Sequence, residues 1–264
     1  CRRIFGGNKC CVADFVISWF YAFLYGVCIF FSEAKRMRLK AVTGQMSDSF
    51  RAAVFIVLSG GFQDAYTYCC RDEVFANAQT GNVVLLSSSL FLGEWSEVWK
   101  YLVPVVSFLI GTAVAELIHG RLKNCEKIHW RQIILLCEII LLFIVGFLDH
   151  RIDAVANALV SFVCALQVQT FHKVRGHAYA STMCIGNLRS GTEALCAYFR
   201  SKDKKILEKA FTYFGVILIF AVGAGIGTFL TRKIGVRSVW ICCVLLLISF
   251  LMMFVKEEKT ERAN

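Results

Sequence analysis

The chain has 264 residues, of which 57% are hydrophobic and 18% are charged, against roughly 25% charged residues in an average soluble domain. With a mean hydropathy of +0.60, one proline and 23 phenylalanines, it carries more apolar surface than one globular core can bury, which excludes an ordinary water-soluble domain. The 29 basic and 19 acidic residues give a net charge of +10. These charges lie between apolar segments rather than on one face, so they indicate membrane topology and argue against nucleic-acid binding.

The first 45 residues contain a hydrophobic run at 12–31 between two basic clusters. Two interpretations of this extension, residues 1–45, stay open: an extra hydrophobic anchor, or upstream sequence outside the native protein. The second is supported by Met37 and Met46, each of which would place the start just before the first convincing span. A cleaved signal peptide fits less well, because no small-residue cleavage site follows the run. We assign no chemistry to this extension.

Six apolar segments have the length that a helix needs to cross a bilayer, about 20 residues. They lie at 50–70, 100–119, 132–149, 154–171, 209–231 and 236–255. Two further segments, 76–93 and 178–199, are apolar but carry the polar motifs AQTGN and CIGNLRSGTE, and we call them the two broken segments. The sequence therefore predicts an all-α, polytopic membrane domain over residues 46–255, followed by a cytoplasmic tail at 256–264.

The distribution of Lys and Arg favours six full spans with two re-entrant or broken segments. Short cytoplasmic loops are enriched in basic residues. If both broken segments crossed the membrane fully, the basic loop 121–131 would lie on the side opposite to the basic stretch 35–40. If both enter and return on one side, the loop 121–131, the stretch 173–209 and the C-terminal tail all lie inside. Eight full spans is the alternative.

An internal repeat is visible in the broken segments. A Gly-Asn pair at 81–82 recurs at 186–187, which is 105 residues later, and we call these pairs the GN elements. Each half then has the order span, GN element, span, span, which predicts two structural repeats, 50–149 and 154–255. With three full crossings each, the second repeat would be inverted and the broken segments would meet near the bilayer midplane. Four crossings each would make the repeats parallel.

Polar residues at membrane depth supply the candidate site. Asp64 lies inside the first span, where a carboxylate costs about 2.5–3.5 kcal/mol, so it must be paired, protonated or exposed to water. A proton- or cation-coupling role and a span that ends early are both open. Asn82 and Asn187 offer amides that can bind a solute or cap a half-helix, whose positive end favours an anion or polar solute. Interhelical hydrogen bonding is the structural alternative, and Gln79 and Thr80 share both interpretations.

The second half adds further candidates. Arg189 and Glu193 have i,i+4 spacing, so they can pair on one helix face, either to receive an anionic substrate or as an interfacial ion pair. Gln167 and Gln169 occupy the span that matches the span of Asp64, and Gln169 falls opposite Asp64 under the repeat. The predicted substrate-binding set is Asp64, Gln79, Thr80, Asn82, Gln169, Asn187, Arg189 and Glu193.

Other patterns bear on packing and on enzymatic chemistry. Small residues at four-residue spacing, Gly111 with Ala115 and Gly223 with Gly227, predict close helix packing. Glu138, in the middle of an apolar run, has no evident structural explanation. The chain lacks GxSxG, HExxH and Walker loops and has no Cys/His spacing for a metal. We therefore expect neither enzymatic activity nor a cofactor, catalytic residue or metal site.

The chain resembles the YoaK family of uncharacterised bacterial membrane proteins, whose defining part is a domain of unknown function. The resemblance rests on GGFQDAYTY (60–68), FANAQTGNVVLL (75–86), FLIG (108–111), CALQVQTF (164–171) and YASTMCIGNLRSGTEAL (179–195). It covers about residues 48–255. The first 45 residues depart from the family pattern, as does Ile185, where a threonine would complete a second TGN. The resemblance implies a multi-pass protein of the bacterial inner membrane and supplies no substrate.

Two functions of different classes follow from these patterns. The leading hypothesis is a transporter or channel for a small polar or anionic solute, with its site between the GN elements. The rival is a non-transporting membrane scaffold or assembly factor, in which the same polar groups only hold helices together. Both hypotheses place the chain in the cell membrane, with the lipid bilayer as its partner, and leave a homo-oligomer open. A wet cavity between the GN elements would favour transport, and a dry interface would favour the scaffold.

Overall fold

The computed structural model describes residues 50–122, 130–174, 177–179 and 181–253. These ranges are almost entirely helical, which confirms the predicted all-α membrane bundle at the level of fold class. In chain order the helices are α1 Phe50–Cys70, α2 Gln79–Leu92, α3 Trp95–Leu122, α4 Trp130–Val145, α5 Asp153–Thr170, α6 Cys184–Ser201, α7 Lys204–Ile234 and α8 Trp240–Met252. The N-terminal extension, residues 1–45, and the tail at 256–264 lie outside the described residues.

Short elements connect some of these helices. Single 3₁₀ helices, His150–Ile152 and Gly235–Val239, lead into α5 and α8. Between α5 and α6, strand β1 (Lys173–Val174) pairs antiparallel with strand β2 (His177–Ala178). This pair, of two residues on each side, is a small departure from an all-helical chain.

Apolar character and length support a membrane location. Among the described residues, three helical stretches are long and apolar enough to cross a bilayer: Trp95–Leu122, His150–Thr170 and Lys204–Met252. The last of these contains both α7 and α8. Since α8 has 13 residues, it measures about 20 Å at 1.5 Å per residue, less than the roughly 30 Å hydrocarbon core of a bilayer. The bundle is therefore established, whereas six crossings stay a prediction.

Large apolar side chains also face outward from the bundle. Phe91 on α2 is 94% exposed, Ile185 on α6 is 84% exposed and Leu218 on α7 is 67% exposed. Side chains of this kind, spread over several helices, are typical of a surface that contacts lipid rather than water. Broken segments thus contribute to the apolar exterior through α2 and α6.

The helices of the two halves exchange partners. The first helix of each half, α1 or α5, packs on the third helix of the other half, so α1 lies against α7 and α5 lies against α3. Within each half, α2 packs on α3 and α6 packs on α7. The remaining large contacts join α1 to α8, α5 to α4, and α4 to α8. Suppose that each helix of the first half is replaced by its counterpart in the second half, α1 by α5 and so on, and the reverse. Each helix pair named above then becomes another named pair, and the α4–α8 pair becomes itself.

Glycines allow the exchanged helices to approach closely. A Cβ atom added to Gly223 on α7 would stand 2.3 Å from the carbonyl oxygen of Leu58 on α1. A Cβ atom added to Gly111 on α3 would stand 2.7 Å from the carbonyl oxygen of Phe162 on α5. Both distances are too short for a real side chain, so each helix pair requires glycine at its crossing. The predicted packing role of these small residues is confirmed, whereas Gly225 faces open space.

Candidate polar site at the meeting of the two broken segments

Each broken segment consists of a loop followed by a helix. Helices α2 and α6 begin at Gln79 and Cys184, and their N-cap residues, Ala78 and Met183, supply no side-chain hydrogen bond to the helix. We call residues 76–78 the first loop and residues 181–183 the second loop. Helix N-termini without a side-chain cap leave backbone N–H groups to be satisfied in other ways.

The two loops meet α1 at the same position, Gly60. The side-chain amide nitrogen of Asn77, in the first loop, donates to the carbonyl oxygen of Gly60 at 3.1 Å. The methyl carbon of Thr182, in the second loop, also lies against Gly60: a Cβ atom added to Gly60 would stand only 2.6 Å from it. Because Gly60 has no side chain, both loops reach the α1 backbone here. This brings the two broken segments together inside the bundle.

Asp64 lies one helical turn after Gly60 and is 9% exposed. Its Oδ1 accepts a hydrogen bond from the backbone N–H of Asn77 at 2.7 Å, and the backbone N–H groups of Ala76 and Ala78 also interact with the carboxylate. Because α1 continues to Cys70, the helix does not end before Asp64. The carboxylate therefore binds the first loop, which lies just ahead of the positive end of α2.

Two glutamines complete the polar surface. Gln63 on α1 donates to Ser59 Oγ at 3.0 Å and approaches Gln167 Oε1 on α5 at 3.5 Å. The thiol of Cys164 donates to Gln63 Oε1 at 3.1 Å, and Gln167 donates to the Ile56 carbonyl oxygen at 2.9 Å. All these side chains are fully buried. The central polar cluster consists of Ser59, Gln63, Asp64, Asn77, Cys164, Gln167 and Thr182.

Some polar atoms of the loops are left without partners. Asn77 Oδ1, Thr182 Oγ1 and Ser181 Oγ are buried and form no hydrogen bond with the described residues. An unpaired buried polar atom destabilises a protein by about 1–3 kcal/mol, and native structures contain few of them. Three such atoms lie in the two loops that meet at Gly60, and others lie on α5 and at Glu138 of α4.

Of the eight predicted site residues, Asp64 belongs to the central polar cluster. Asn82 is fully buried, but its side chain is occupied by local bonds. Its Nδ2 donates to the Phe75 carbonyl oxygen at 2.7 Å and to Gln79 Oε1 at 3.1 Å, while its Oδ1 accepts from the Phe75 N–H at 3.3 Å. These bonds attach α2 to the segment before it. Thr80, on the same helix, is exposed.

The predicted residues of the second half lie in different environments. Asn187, near the start of α6, is 2% exposed. Gln169 donates to Glu116 Oε2 on α3 at 2.9 Å, in an exposed contact. Arg189 and Glu193 form the expected i,i+4 ion pair at 2.9 Å, with 82% and 63% of their side chains exposed. Gln169, Arg189 and Glu193 thus lie in exposed contacts, whereas Asn187 is buried, and the binding role of all four stays a prediction.

Sequence reasoning missed five of the seven members of the cluster: Ser59, Gln63, Asn77, Cys164 and Thr182. Gln63 stands directly before Asp64 in the motif GGFQDAY, and Asn77 and Thr182 are 105 residues apart, the same displacement as the GN elements. A displacement of 105 residues predicted Gln169 as the counterpart of Asp64. In the structure Gln63 contacts Gln167 instead, and these two residues are 104 positions apart. The repeated spacing of Asn77 and Thr182 was the available signal.

Comparisons with known proteins support the membrane class. The family model described as "Protein of unknown function (DUF1275)" matches residues 52–252. The chain is 25% identical over 178 residues to UPF0700 transmembrane protein YoaK of Bacillus subtilis (strain 168), an alignment that covers 64% of this chain and 78% of that protein. No solved structure matches the chain. The range matched by the family model contains the whole central polar cluster.

Proposed function

The chain belongs to the DUF1275 family of proteins of unknown function, and from this premise we propose that it is a transporter or channel for a small polar solute. The proposed binding site is the central polar cluster. The observation that carries the proposal is the meeting of both loops at Gly60, inside a helical bundle with an apolar exterior. We place the protein in the bacterial cell membrane as a multi-pass protein.

The exchanged helix contacts support two structural repeats, α1–α4 and α5–α8. The contacts between α1 and α7 and between α5 and α3 are equivalent under this exchange, and the loop residues Asn77 and Thr182 occupy matching positions before α2 and α6. Three crossings in each repeat would relate the halves by inversion and place the loops near the bilayer midplane. Non-helical backbone at that depth occurs where it is buried in protein or lines a wet cavity.

The chemistry of the cluster favours a neutral or cationic solute. Its members offer amides, hydroxyls, a thiol and the Asp64 carboxylate, so they can both donate to a solute and accept from it. No member is basic, and Asn77 Oδ1 is an unpaired acceptor. An anion placed beside Asp64 would meet a like charge in surroundings of low dielectric constant. We therefore propose a small solute with N–H or O–H donors rather than the anionic alternative.

Osmotic swelling of proteoliposomes tests this function. Vesicles containing the purified full chain are exposed to gradients of urea, glycerol or methylammonium chloride, and swelling is followed by light scattering. We expect swelling faster than in protein-free vesicles for at least one solute. Thr182→Val removes the unpaired hydroxyl with little change of shape and should alter that rate several-fold, whereas the matched exposed change on α6, Thr192→Val, should not. Equal rates in Thr182→Val, Asn77→Ala and wild type would contradict the proposed site.

A scaffold or assembly factor is the second candidate, and the bonds of Asn82 favour it. Every hydrogen bond of this buried amide goes to Phe75 or Gln79, within seven residues of Asn82, so this GN element has a structural task. A scaffold predicts that no solute in the panel crosses wild-type vesicles faster than protein-free ones and that none raises the melting temperature of the purified protein. Transport predicts a shift with the solute that crosses.

A further inference from the structure

Glu138 lies in the middle of α4 and is completely buried. Leu135 and Leu142, about one turn before and after it, are also completely buried, so this face of α4 points into the bundle. Neither carboxyl oxygen of Glu138 has a hydrogen-bond partner among the described residues. It therefore differs from Asp64, whose carboxylate accepts from backbone N–H groups.

The groups around Glu138 are weakly polar. Helix α4 packs on α5 and α8. Cys164 on α5 and Cys137 on α4 interact electrostatically with Glu138, and from α8 the Cys243 thiol donates to the carbonyl oxygen of Ile139 at 3.6 Å. Within the described ranges no Lys, Arg or His forms an ion pair with Glu138. None of these neighbours supplies the charge or donors that a carboxylate needs.

Cys164 connects Glu138 with the central polar cluster. The same thiol that interacts with Glu138 also interacts with Asp64 and donates to Gln63 at 3.1 Å. Both buried carboxyl groups thus lie close enough to the Cys164 thiol to influence it electrostatically. A change of charge or hydration at Glu138 would reach the proposed solute site through a single intervening residue.

The conformation described here accommodates Glu138 only as a neutral acid. An ionised carboxylate without donors in an apolar interior is strongly disfavoured, because nothing replaces its hydration. Even the neutral acid leaves its oxygens unpaired, which is unfavourable. A conformation that admits water to this face of α4 would relieve both conditions and would allow the proton to leave.

We propose that Glu138 is a proton-binding site whose protonation is coupled to closure of the bundle. The step is the addition of one proton from water to the Glu138 carboxylate, which gives the carboxylic acid; no other bond forms or breaks. This inference rests on the proposed function in assuming that the bundle opens and closes. The closed conformation then holds one more proton than an open one with ionised Glu138. Low pH therefore favours closure, and the equilibrium constant for closure falls by up to about tenfold for each unit of rising pH.

Infrared spectroscopy of the purified full chain tests the first half of the proposal. A protonated carboxylic acid has a C=O stretch that a carboxylate lacks. We expect Glu138→Gln to remove intensity from this band at neutral pH. The control, Glu116→Gln, changes a glutamate that is 61% exposed and should leave the band unchanged. Identical acid bands in wild type and Glu138→Gln would overturn the proposal.

Alkylation of the buried thiols tests the coupling. Cys137 and Cys164 are inaccessible here, so their reaction with N-ethylmaleimide in proteoliposomes reports opening. Thiol ionisation depends on pH in every variant, so the informative quantity is the ratio of the wild-type rate to the Glu138→Gln rate. Between about pH 6 and about pH 8 this ratio should rise, by up to about tenfold per unit. A ratio that does not change with pH would refute the coupling.

Two further comparisons keep the result interpretable. If Glu138→Gln fails to fold, Glu138→Met has a similar volume without an ionisable group and should give the same ratio. Solute-driven swelling with a constant ratio would refute the coupling and leave transport standing. A rising ratio in a protein that moves none of the tested solutes would support the proton site and contradict the proposed function.

Discussion

Replacing Arg71 should destabilise the protein more than changing any exposed charge. Arg71 is fully buried at the end of α1 and forms an ion pair with Asp153, the first residue of α5. Its guanidinium also donates to the Tyr66 hydroxyl oxygen at 2.9 Å. Two further bonds go to the carbonyl oxygen of Val145, the last residue of α4, at 3.2 Å and to that of Leu148, just after α4, at 2.8 Å. One side chain thus joins α1, α4 and α5, and its loss leaves several polar atoms unpaired.

The magnitude follows from the charge that is left behind. Asp153 is 6% exposed, so Arg71→Met leaves a buried carboxylate whose remaining polar neighbour is the exposed His150, 3.2 Å away. Losing the buried cation typically lowers the free energy of unfolding by about 3–5 kcal/mol. Replacing both partners removes that uncompensated charge. Arg71→Met with Asp153→Leu should therefore be less destabilised than the sum of the two single changes, by roughly 1–3 kcal/mol of coupling.

Unfolding of the detergent-purified full chain by a denaturing detergent measures these changes, with folded yield as a second readout. Arg151→Met is the matched control, because Arg151 is 92% exposed and lies 3.8 Å from Asp149; its effect should stay within about 0.5 kcal/mol. The reasoning fails if Arg71→Met and Arg151→Met are equally stable. It also fails if the double variant loses the full sum of the single losses.

Two further changes test the packing and the first GN element. Gly223→Leu should lower the free energy of unfolding by at least about 1–3 kcal/mol, since even its Cβ would meet the Leu58 carbonyl oxygen at 2.3 Å, while Gly225→Leu should remain near wild type in the same denaturation assay. Asn82→Ala should reduce folded yield and stability by about 1–3 kcal/mol, because the Phe75 N–H and C=O lose their partner; unchanged yield would contradict the structural role of this amide.

The sequence predicted helices better than their pairing. Long apolar runs identified α3 and α7, because 18 or more apolar residues have few alternatives to a helix in lipid. Polar motifs also marked the broken segments, and α2 and α6 begin inside them at Gln79 and Cys184. Which helices meet was not readable, because lipid tails are as apolar as the side chains and provide no hydrophobic signal for pairing. Glycine spacing indicated crossings but not partners.

Only part of the candidate site was predictable. Asp64 was found because a carboxylate in an apolar run requires an explanation. Asn82 attracted attention for its repeated motif, yet its partner, the Phe75 backbone, lies seven residues back, a contact that depends on the bend before α2. Asn77 and Thr182 were overlooked because they stand in loops, where polar residues are ordinary. Their importance comes from meeting at Gly60, which is a tertiary contact.

The two loops reach this meeting point by unlike routes. The first follows the turn anchored by Arg71. The second follows a short antiparallel strand pair, and just beyond the paired residues the Tyr179 N–H donates to the His172 carbonyl oxygen at 3.0 Å. The stretch from Gln167 to Thr182 is one residue longer than the stretch from Gln63 to Asn77, so the loops are displaced by 105 residues and the glutamines by 104. Two different connecting segments thus place unpaired polar atoms at the same point. Helix packing alone does not explain this, because apolar residues would pack the helices more favourably. This shared destination is therefore the reason for proposing a solute site there, in which the solute would supply the missing hydrogen bonds.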